Sequence, residues 1–454
     1  GESSDRVTGK QYERRITNNW SPRFGVAWSP GSSRKWSVRG GAGLYYDWVT
    51  IGESSDRVNV NAPNFVFPNM GQLLPIRPVF SLGTSDTFPF GFTLPTIPAG
   101  RLDERGGIAG LQTNVGGLDP RLKAPRVINY IAAVERELPG RTVVGLNYSG
   151  SRTTRGLVGT DYNRFPGDLA DGRFDRLNPS FGTMFWVSNF NEITYNALIA
   201  TVRKDLRTNG VIQASYTYGR ATDFFQGGAR SVSLESVVDP RQLGDRRAPT
   251  AFDVTHRLSA SGVYRLPTPF KSNVLAKTVL GGWEVGTTVI AQTGTPFTIF
   301  NGNPLNAIFE GGRVVGFRPG SGDYNLDGFN FDFPNVPNNL PQKVDRNQFL
   351  GDNSNRPRIN AADFTAPAVG VQGNSPRNAF RQQGLLRVDS SVIKNNRLPF
   401  LGEQGNLQLK FEFFNVLNRV NLGGITNNLG SVNFGRILGQ GDPRIIQVGA
   451  RIAF

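Results

Sequence analysis

Asp323, Asn325 and Asp327 alternate ahead of a glycine in the segment Asp323-Tyr324-Asn325-Leu326-Asp327-Gly328, a D-x-N-x-D-G pattern. Three oxygen-bearing side chains at alternate positions before a turn-forming glycine can wrap a hard cation such as Ca²⁺. Position twelve of such a loop is Pro334 rather than a bidentate Glu, which excludes an EF-hand and leaves Asp332 as a further oxygen ligand. The same residues also make a polar turn, in which Asp and Asn side chains bind nearby backbone N–H groups. A second group is aromatic: Tyr162, Phe165, Phe174, Phe181, Phe185, Trp186 and Phe190 share the stretch 161–190 with Arg164, Arg173 and Arg176. Rings and guanidinium groups in one loop suit stacking on a sugar or aromatic ligand, with Phe165, Phe174, Phe185 and Trp186 as contact residues. Packing of a long loop against its neighbours uses the same residue types.

Catalytic patterns are missing. The chain has no cysteine and one histidine, His256, whose nearest carboxylate in sequence is Asp253. A lone His without a nucleophile elbow makes no triad, and no H-E-x-x-H occurs. Gly40-Gly41-Ala42-Gly43 falls inside an alternating segment rather than at a strand-to-helix turn, so it does not cradle phosphate. The expectation is a non-enzyme without cofactor, Ca²⁺ apart, in which His256 marks the start of a strand.

The elements that would position these groups are strands. Counting back by two from the C-terminus gives Phe454, Ile452, Ala450, Val448 and Ile446 on one face, against Ala453, Arg451, Gly449, Gln447 and Ile445. A period of two places the sets on opposite faces of one strand. Apolar outward and polar inward suits a transmembrane β-barrel. Comparable alternation covers Phe24–Trp28, Trp36–Tyr46, 127–138, 141–151, 192–204 (Ile193, Tyr195, Ala197, Ile199), 212–219, 254–265, 278–292, 385–394 and 407–413. That makes eleven strands in all. Trp28, Trp36, Tyr46, Trp48 and Tyr148 suit interfacial aromatic girdles.

Connections carry the stronger argument. Short links at 29–34, 139–140 and 207–210, and two of about ten residues, alternate with long segments at 48–126, 152–191, 221–253, 293–383 and 418–443. Outer-membrane barrels alternate short periplasmic turns with long outer loops, and compact soluble domains seldom carry loops of this length. The expected localisation is the outer membrane of a Gram-negative-type cell, with the C-terminus periplasmic and lipid as the surrounding partner. Bacterial barrels have even strand numbers, so eleven strands with Gly1 on the outer side predict that further strands precede this chain. Gly1-Glu2-Ser3-Ser4-Asp5-Arg6-Val7 recurs as Gly52-Glu53-Ser54-Ser55-Asp56-Arg57-Val58, a local duplication without a solenoid period.

Composition agrees. Hydrophobic residues are 38% of 454, glycines number 55 and prolines 29, and no apolar run approaches the roughly 20 residues of a membrane helix. The net charge of +15 comes from scattered Lys and Arg without a basic run, so nucleic acid is not the expected partner; a soluble basic β protein is the remote alternative.

Several motifs together resemble a known family. Asn19-Trp20-Ser21-Pro22-Arg23-Phe24-Gly25-Val26-Ala27-Trp28, followed by Val38-Arg39-Gly40-Gly41-Ala42-Gly43-Leu44-Tyr45-Tyr46-Asp47, resembles the TonB-dependent receptor barrel, and in particular its Oar-like, carboxypeptidase-regulatory-like branch. Phe252-Asp253-Val254-Thr255-His256-Arg257, Phe411-Glu412-Phe413-Phe414-Asn415-Val416-Leu417-Asn418, and Phe434-Gly435-Arg436-Ile437 with Asp442–Gly449 are similar to motifs of that branch. The terminal strand, with Val448, Ala450, Ile452 and Phe454, looks like the signal such proteins present to the barrel-assembly machinery. The resemblance implies an all-β transmembrane antiparallel barrel of 22 strands, of which residues 1–454 are about the last half. It also implies a lumenal plug and a regulatory-like domain outside this chain, an N-terminal box contacting an inner-membrane energy transducer, and an extracellular ligand held by outer loops. A surface or adhesion protein on the same barrel is the alternative.

Overall fold

The computed structural model describes residues 19–47, 67–68, 113–171, 175–225, 247–268, 274–302, 306–310, 313–318, 322–329, 331–337, 359–402 and 404–454. Both copies of the duplicated heptapeptide, and Trp48, Arg173 and Phe174, lie outside them.

Eleven strands follow one another as a meander in a single antiparallel sheet: β1 (Arg23–Trp28), β2 (Trp36–Tyr46), β3 (Arg126–Leu138), β4 (Thr142–Asp161), β5 (Phe181–Asp205), β6 (Gly210–Asp223), β7 (His256–Arg265), β8 (Trp283–Gln292), β9 (Leu385–Arg397), β10 (Asn406–Phe414) and β11 (Ile445–Ala453). Each pairs with its sequence neighbours, and β1 and β11 are the two edges. Register carries the apolar face from strand to strand. Val38, Val134, Leu146, Ala200 and Tyr216 share one row, and Leu258, Ala291 and Leu386 continue it; Val392, Phe411 and Val448 form another. This face is open: Leu146, Leu198, Ile212, Tyr218, Val448 and Ile452 are all exposed. A sheet that presents large apolar side chains outward is stable where lipid rather than water covers it. The opposite face carries ion pairs between Arg39 and Glu135, Arg265 and Glu284 (2.9 Å), and Lys410 and Glu412 (2.7 Å). No described helix is long and apolar enough to cross a membrane.

Short connections close one end. In the β3–β4 link, Gly140 and Arg141 take left-handed φ values of 79° and 57°, and a glycine makes that conformation cheap. The long connections all lie at the other end.

Three expectations need correction. First, the alternating set Ile193, Tyr195, Ala197 and Ile199 that marks the strand 192–204 is not its lipid-facing row. Leu146 pairs with Ala200 and Tyr148 with Leu198, so the outward row is Leu198, Ala200 and Val202. Both faces of this strand are apolar, so alternation alone could not choose. Second, 278–282 is not strand. Val274–Leu280 forms a short helix, α1, ended by Gly281 and by Gly282 at φ 71°. Lys394, beside Trp283 on the outward face, donates to the carbonyl oxygens of Thr278 (2.6 Å) and Gly281 at the end of α1. Third, β4 and β5 run far into the segment expected to be loop.

Candidate functional site in the outer loops

At 25 residues β5 is much longer than the roughly 9–11 that cross a bilayer. Its first half therefore stands outside the membrane as a ribbon with the end of β4. There the ribbon's free edge accepts a parallel strand, Thr113–Leu118. This arrangement fixes the aromatic group. Phe185 is buried with Leu118 and Val187, and Leu157 packs against them. Trp186 is half-buried, its ring lying where a Cβ on Gly117 would be. Phe165 is half-buried at the ribbon tip.

The described residues of the tip, 162–171 and 175–180, are tied together by hydrogen bonds. The Asn163 amide donates to the carbonyl oxygens of Phe181 (2.7 Å) and Gly182 (3.0 Å), and its Oδ1 accepts from the Asn178 N–H (2.7 Å). Asp168 Oδ1 accepts the N–H groups of Asp175 and Arg176, both at 2.8 Å, while the Arg176 guanidinium pairs with Oδ2 at 3.2 Å. Burial pushes the Asp168 carboxyl above its usual range.

This tip lands on the D-x-N-x-D-G segment. Gly167 N–H donates to Asn325 O (2.7 Å) and Leu169 N–H to Leu326 O (2.8 Å). Arg176 donates to Asp327 O (3.1 Å), Arg164 Nε pairs with Asp327 Oδ2 (3.0 Å), and the Arg164 guanidinium lies 4.6 Å from the Phe329 ring centre. The two groups singled out from sequence are thus halves of one interface. β4–β5 and β8–β9 are separated by β6 and β7 in the sheet, so the contact joins two connections that are not neighbours along it.

All four candidate ligand residues are buried: Asp323 is 1% exposed, Asn325 2%, Asp327 2% and Asp332 0%. Asp323 accepts from the N–H groups of Asp327 (3.0 Å) and Gly328 (2.8 Å), and Asp327 Oδ1 accepts from Phe329 N–H (2.9 Å). Asp332 Oδ2 accepts from Asn325 N–H (2.9 Å), whereas Asp332 Oδ1 is buried without a hydrogen-bond partner among the described residues. Desolvation, reinforced by the neighbouring carboxylates, pushes Asp327 up to about 7 and Asp332 up to about 8. Burial likewise raises Asp323. Among the described residues, no three of Asp, Glu, His and Cys stand together as a ready metal cage.

Behind this interface the remaining described long loops build a core. Phe297, Ile299, Ile359, Phe364, Phe380, Ile425 and Phe434 form one buried cluster drawn from the β8–β9 and β10–β11 connections. Arg377 pairs with Asp223 at the end of β6 (2.6 Å), and Arg381 pairs with Asp253. Asp253 is therefore not the partner of His256, whose Nδ1 lies 2.7 Å from the Tyr216 hydroxyl in an outward aromatic group with Tyr218. Sequence reasoning missed the Arg377 and Arg381 anchors. They carry no motif, and their partners lie more than a hundred positions away. A cleft of about 620 Å³ between strand rim and loops, lined among others by Gln292, Arg381 and Arg419, was also not legible in sequence.

Comparison with known proteins places the chain. Residues 3–447 match the family described as outer membrane beta barrel domain. Three similar solved structures illustrate the likeness. The outer-membrane transporter YddB from Escherichia coli shares 10% identity and a TM-score of 0.47, over 99% of this chain and 42% of that one. The ferric enterobactin receptor PfeA from Pseudomonas aeruginosa (Q482A mutant) shares 11% and 0.43, over 95% and 40%. The ferripyoverdine receptor of Pseudomonas aeruginosa shares 11% and 0.39, over 95% and 32%. The chain thus spans 42% or less of the length of these structures. No curated protein sequence matches it.

Proposed function

The chain belongs to the outer-membrane β-barrel domain family, and on that premise we propose that it is the C-terminal barrel part of a TonB-dependent receptor of the Oar-like branch. Such a receptor takes up an extracellular ligand with energy supplied from the inner membrane. The asymmetry between the two ends of the sheet supports this reading. One end has short turns. The other carries loops tied to one another by buried ion pairs and an apolar core of their own. Loops organised before any ligand arrives lose little conformational freedom on capture. Ligand held by them would release a plug from the lumen once the energy transducer pulls on a segment upstream of this chain. The C-terminus faces the periplasm in this reading. Val448, Ile452 and Phe454, with Ala450 between them, project outward on the last strand, available to the barrel-assembly machinery.

The test is uptake by cells with and without the full receptor gene, in a mixed nutrient medium followed by mass spectrometry. A compound depleted only by receptor-bearing cells, and no longer depleted after a protonophore is added, supports transport. Equal depletion in both strains, with loss of cell or matrix attachment that the protonophore does not affect, would replace transport by adhesion on the same barrel.

A further inference from the structure

We infer that the Asp323–Gly328 turn, completed by Asp332, binds one calcium ion through the side-chain oxygens of Asp323, Asn325, Asp327 and Asp332. The turn backbone is already folded for it. Leu326 and Gly328 take left-handed φ values of 56° and 88°. The N–H groups of Asp327 and Gly328 both converge on Asp323. For Leu326 this conformation costs roughly 1 kcal/mol.

The observation that asks for a ligand is Asp332. Its side chain is fully buried, and one oxygen accepts Asn325 N–H while Oδ1 has no hydrogen-bond partner among the described residues. A buried carboxylate oxygen with no donor is expensive, and a cation or an ordered water must face it. The carboxyl groups also outnumber the cations beside them: among the described residues, Asp323, Asp327 and Asp332 are buried together, and the ion pair they make is that of Arg164 with Asp327. The donors are carboxylates and an amide oxygen in a buried turn. That favours Ca²⁺, which accepts six to eight oxygens in irregular geometry, over Mg²⁺, which keeps its waters. The set is not a closed cage as it stands: the three carboxylates are not gathered around one point, and Arg164 and the Asn325 amide hold one oxygen of Asp327. The ion would sit beneath the docked tip of the β4–β5 ribbon, and its binding would reinforce that docking.

The experiment uses the full chain folded in detergent micelles and stripped with chelator. Terbium luminescence, sensitised by the adjacent Tyr324, is displaced by CaCl₂ and, separately, by MgCl₂. Saturable binding displaced by calcium but not by equal magnesium is expected, with a Kd on the order of 10⁻⁴–10⁻³ M, as in extracellular calcium modules. Asp332→Asn should weaken binding by more than about tenfold, and Asn325→Asp, which adds a carboxylate at the middle position, should tighten it. A purely structural turn would instead be destabilised by Asn325→Asp with no calcium effect. No calcium-displaceable signal up to roughly 10 mM, beyond the weakest such sites, would overturn the assignment in a chain whose barrel is folded by heat-modifiable mobility. So would Asp332→Asn and Asn325→Asp variants that both bind as the parent does.

Discussion

The membrane-crossing sheet and the outer loop assembly follow opposite solvent rules within one chain. In the sheet, Leu146, Leu198, Tyr218 and Val448 are exposed, and the ion pairs on the other face are partly solvated. In the loops, Phe364 and Phe380 are buried, and the Arg164–Asp327 and Arg377–Asp223 pairs are nearly inaccessible. The sheet takes its stability from backbone ladders and from lipid. The loops must hold themselves together as a small globular protein would, with a core and with charges that are paired when buried. Mutations of the same chemical kind should therefore act differently in the two regions.

The largest contrast comes from apolar truncation. Phe364→Ala removes a ring packed edge-on against Phe434, and should loosen the loop assembly by about 3–5 kcal/mol while leaving the barrel intact. Protease protection of 359–440, beside unchanged heat-modifiable mobility, is the readout. Simultaneous loss of both would show that the regions fold as one unit. Next, Phe411→Arg, in the middle of the outward row between Val392 and Val448, should cost about 2–4 kcal/mol of barrel stability in micelles, whereas Gln408→Arg on the inward face should be nearly neutral. Equal costs on urea titration would contradict the face assignment.

A third contrast is pH. Asp327 and Asp332 have folded values near 7 and 8 against an ordinary 3.8, so the folded loops bind more protons than the unfolded chain. The stabilisation is full below about pH 4 and is lost as pH rises to about 8. With chelator present, proteolysis of the β4–β5 tip should thus quicken between pH 5 and 8.5, and Asp332→Asn should flatten the trend. Quicker cleavage at the acid end would reverse the sign and refute the buried-carboxylate account. The smallest effect is expected from Arg39→Ala. Its exposed pair with Glu135 on the inward face should contribute no more than about 1 kcal/mol. A larger loss would mean that this face is dry rather than wet.

Much of the sheet was legible. The period-two rows of β2, β8, β10 and β11 give both the strand and its outward side, because in each only one face is apolar. The alternation of short and long connections gives the order and the polarity of the ends. β5 was half legible: its existence follows from composition, its outward side from its neighbours. The ribbon extensions of β4 and β5 lack alternation because Thr113–Leu118 and the loop tip pack on them, so polar and apolar sides are not separated by solvent.

The site divides the same way. D-x-N-x-D-G and the arginine-bearing aromatic loop stand out in the sequence because their donors are close together along the chain. That Asp327 is met by Arg164 and Arg176, the latter 151 positions away, could not be read there. The sequence by itself determined what local periodicity and turn chemistry determine: eleven strands, their meander, the lipid-facing rows where only one face is apolar, and the D-x-N-x-D-G turn. The tertiary structure alone decided which loops meet, which carboxylates lose their water and which ring is core rather than surface. Burial and charge pairing depend on neighbours brought together from connections far apart in sequence, and spacing along one chain does not encode them.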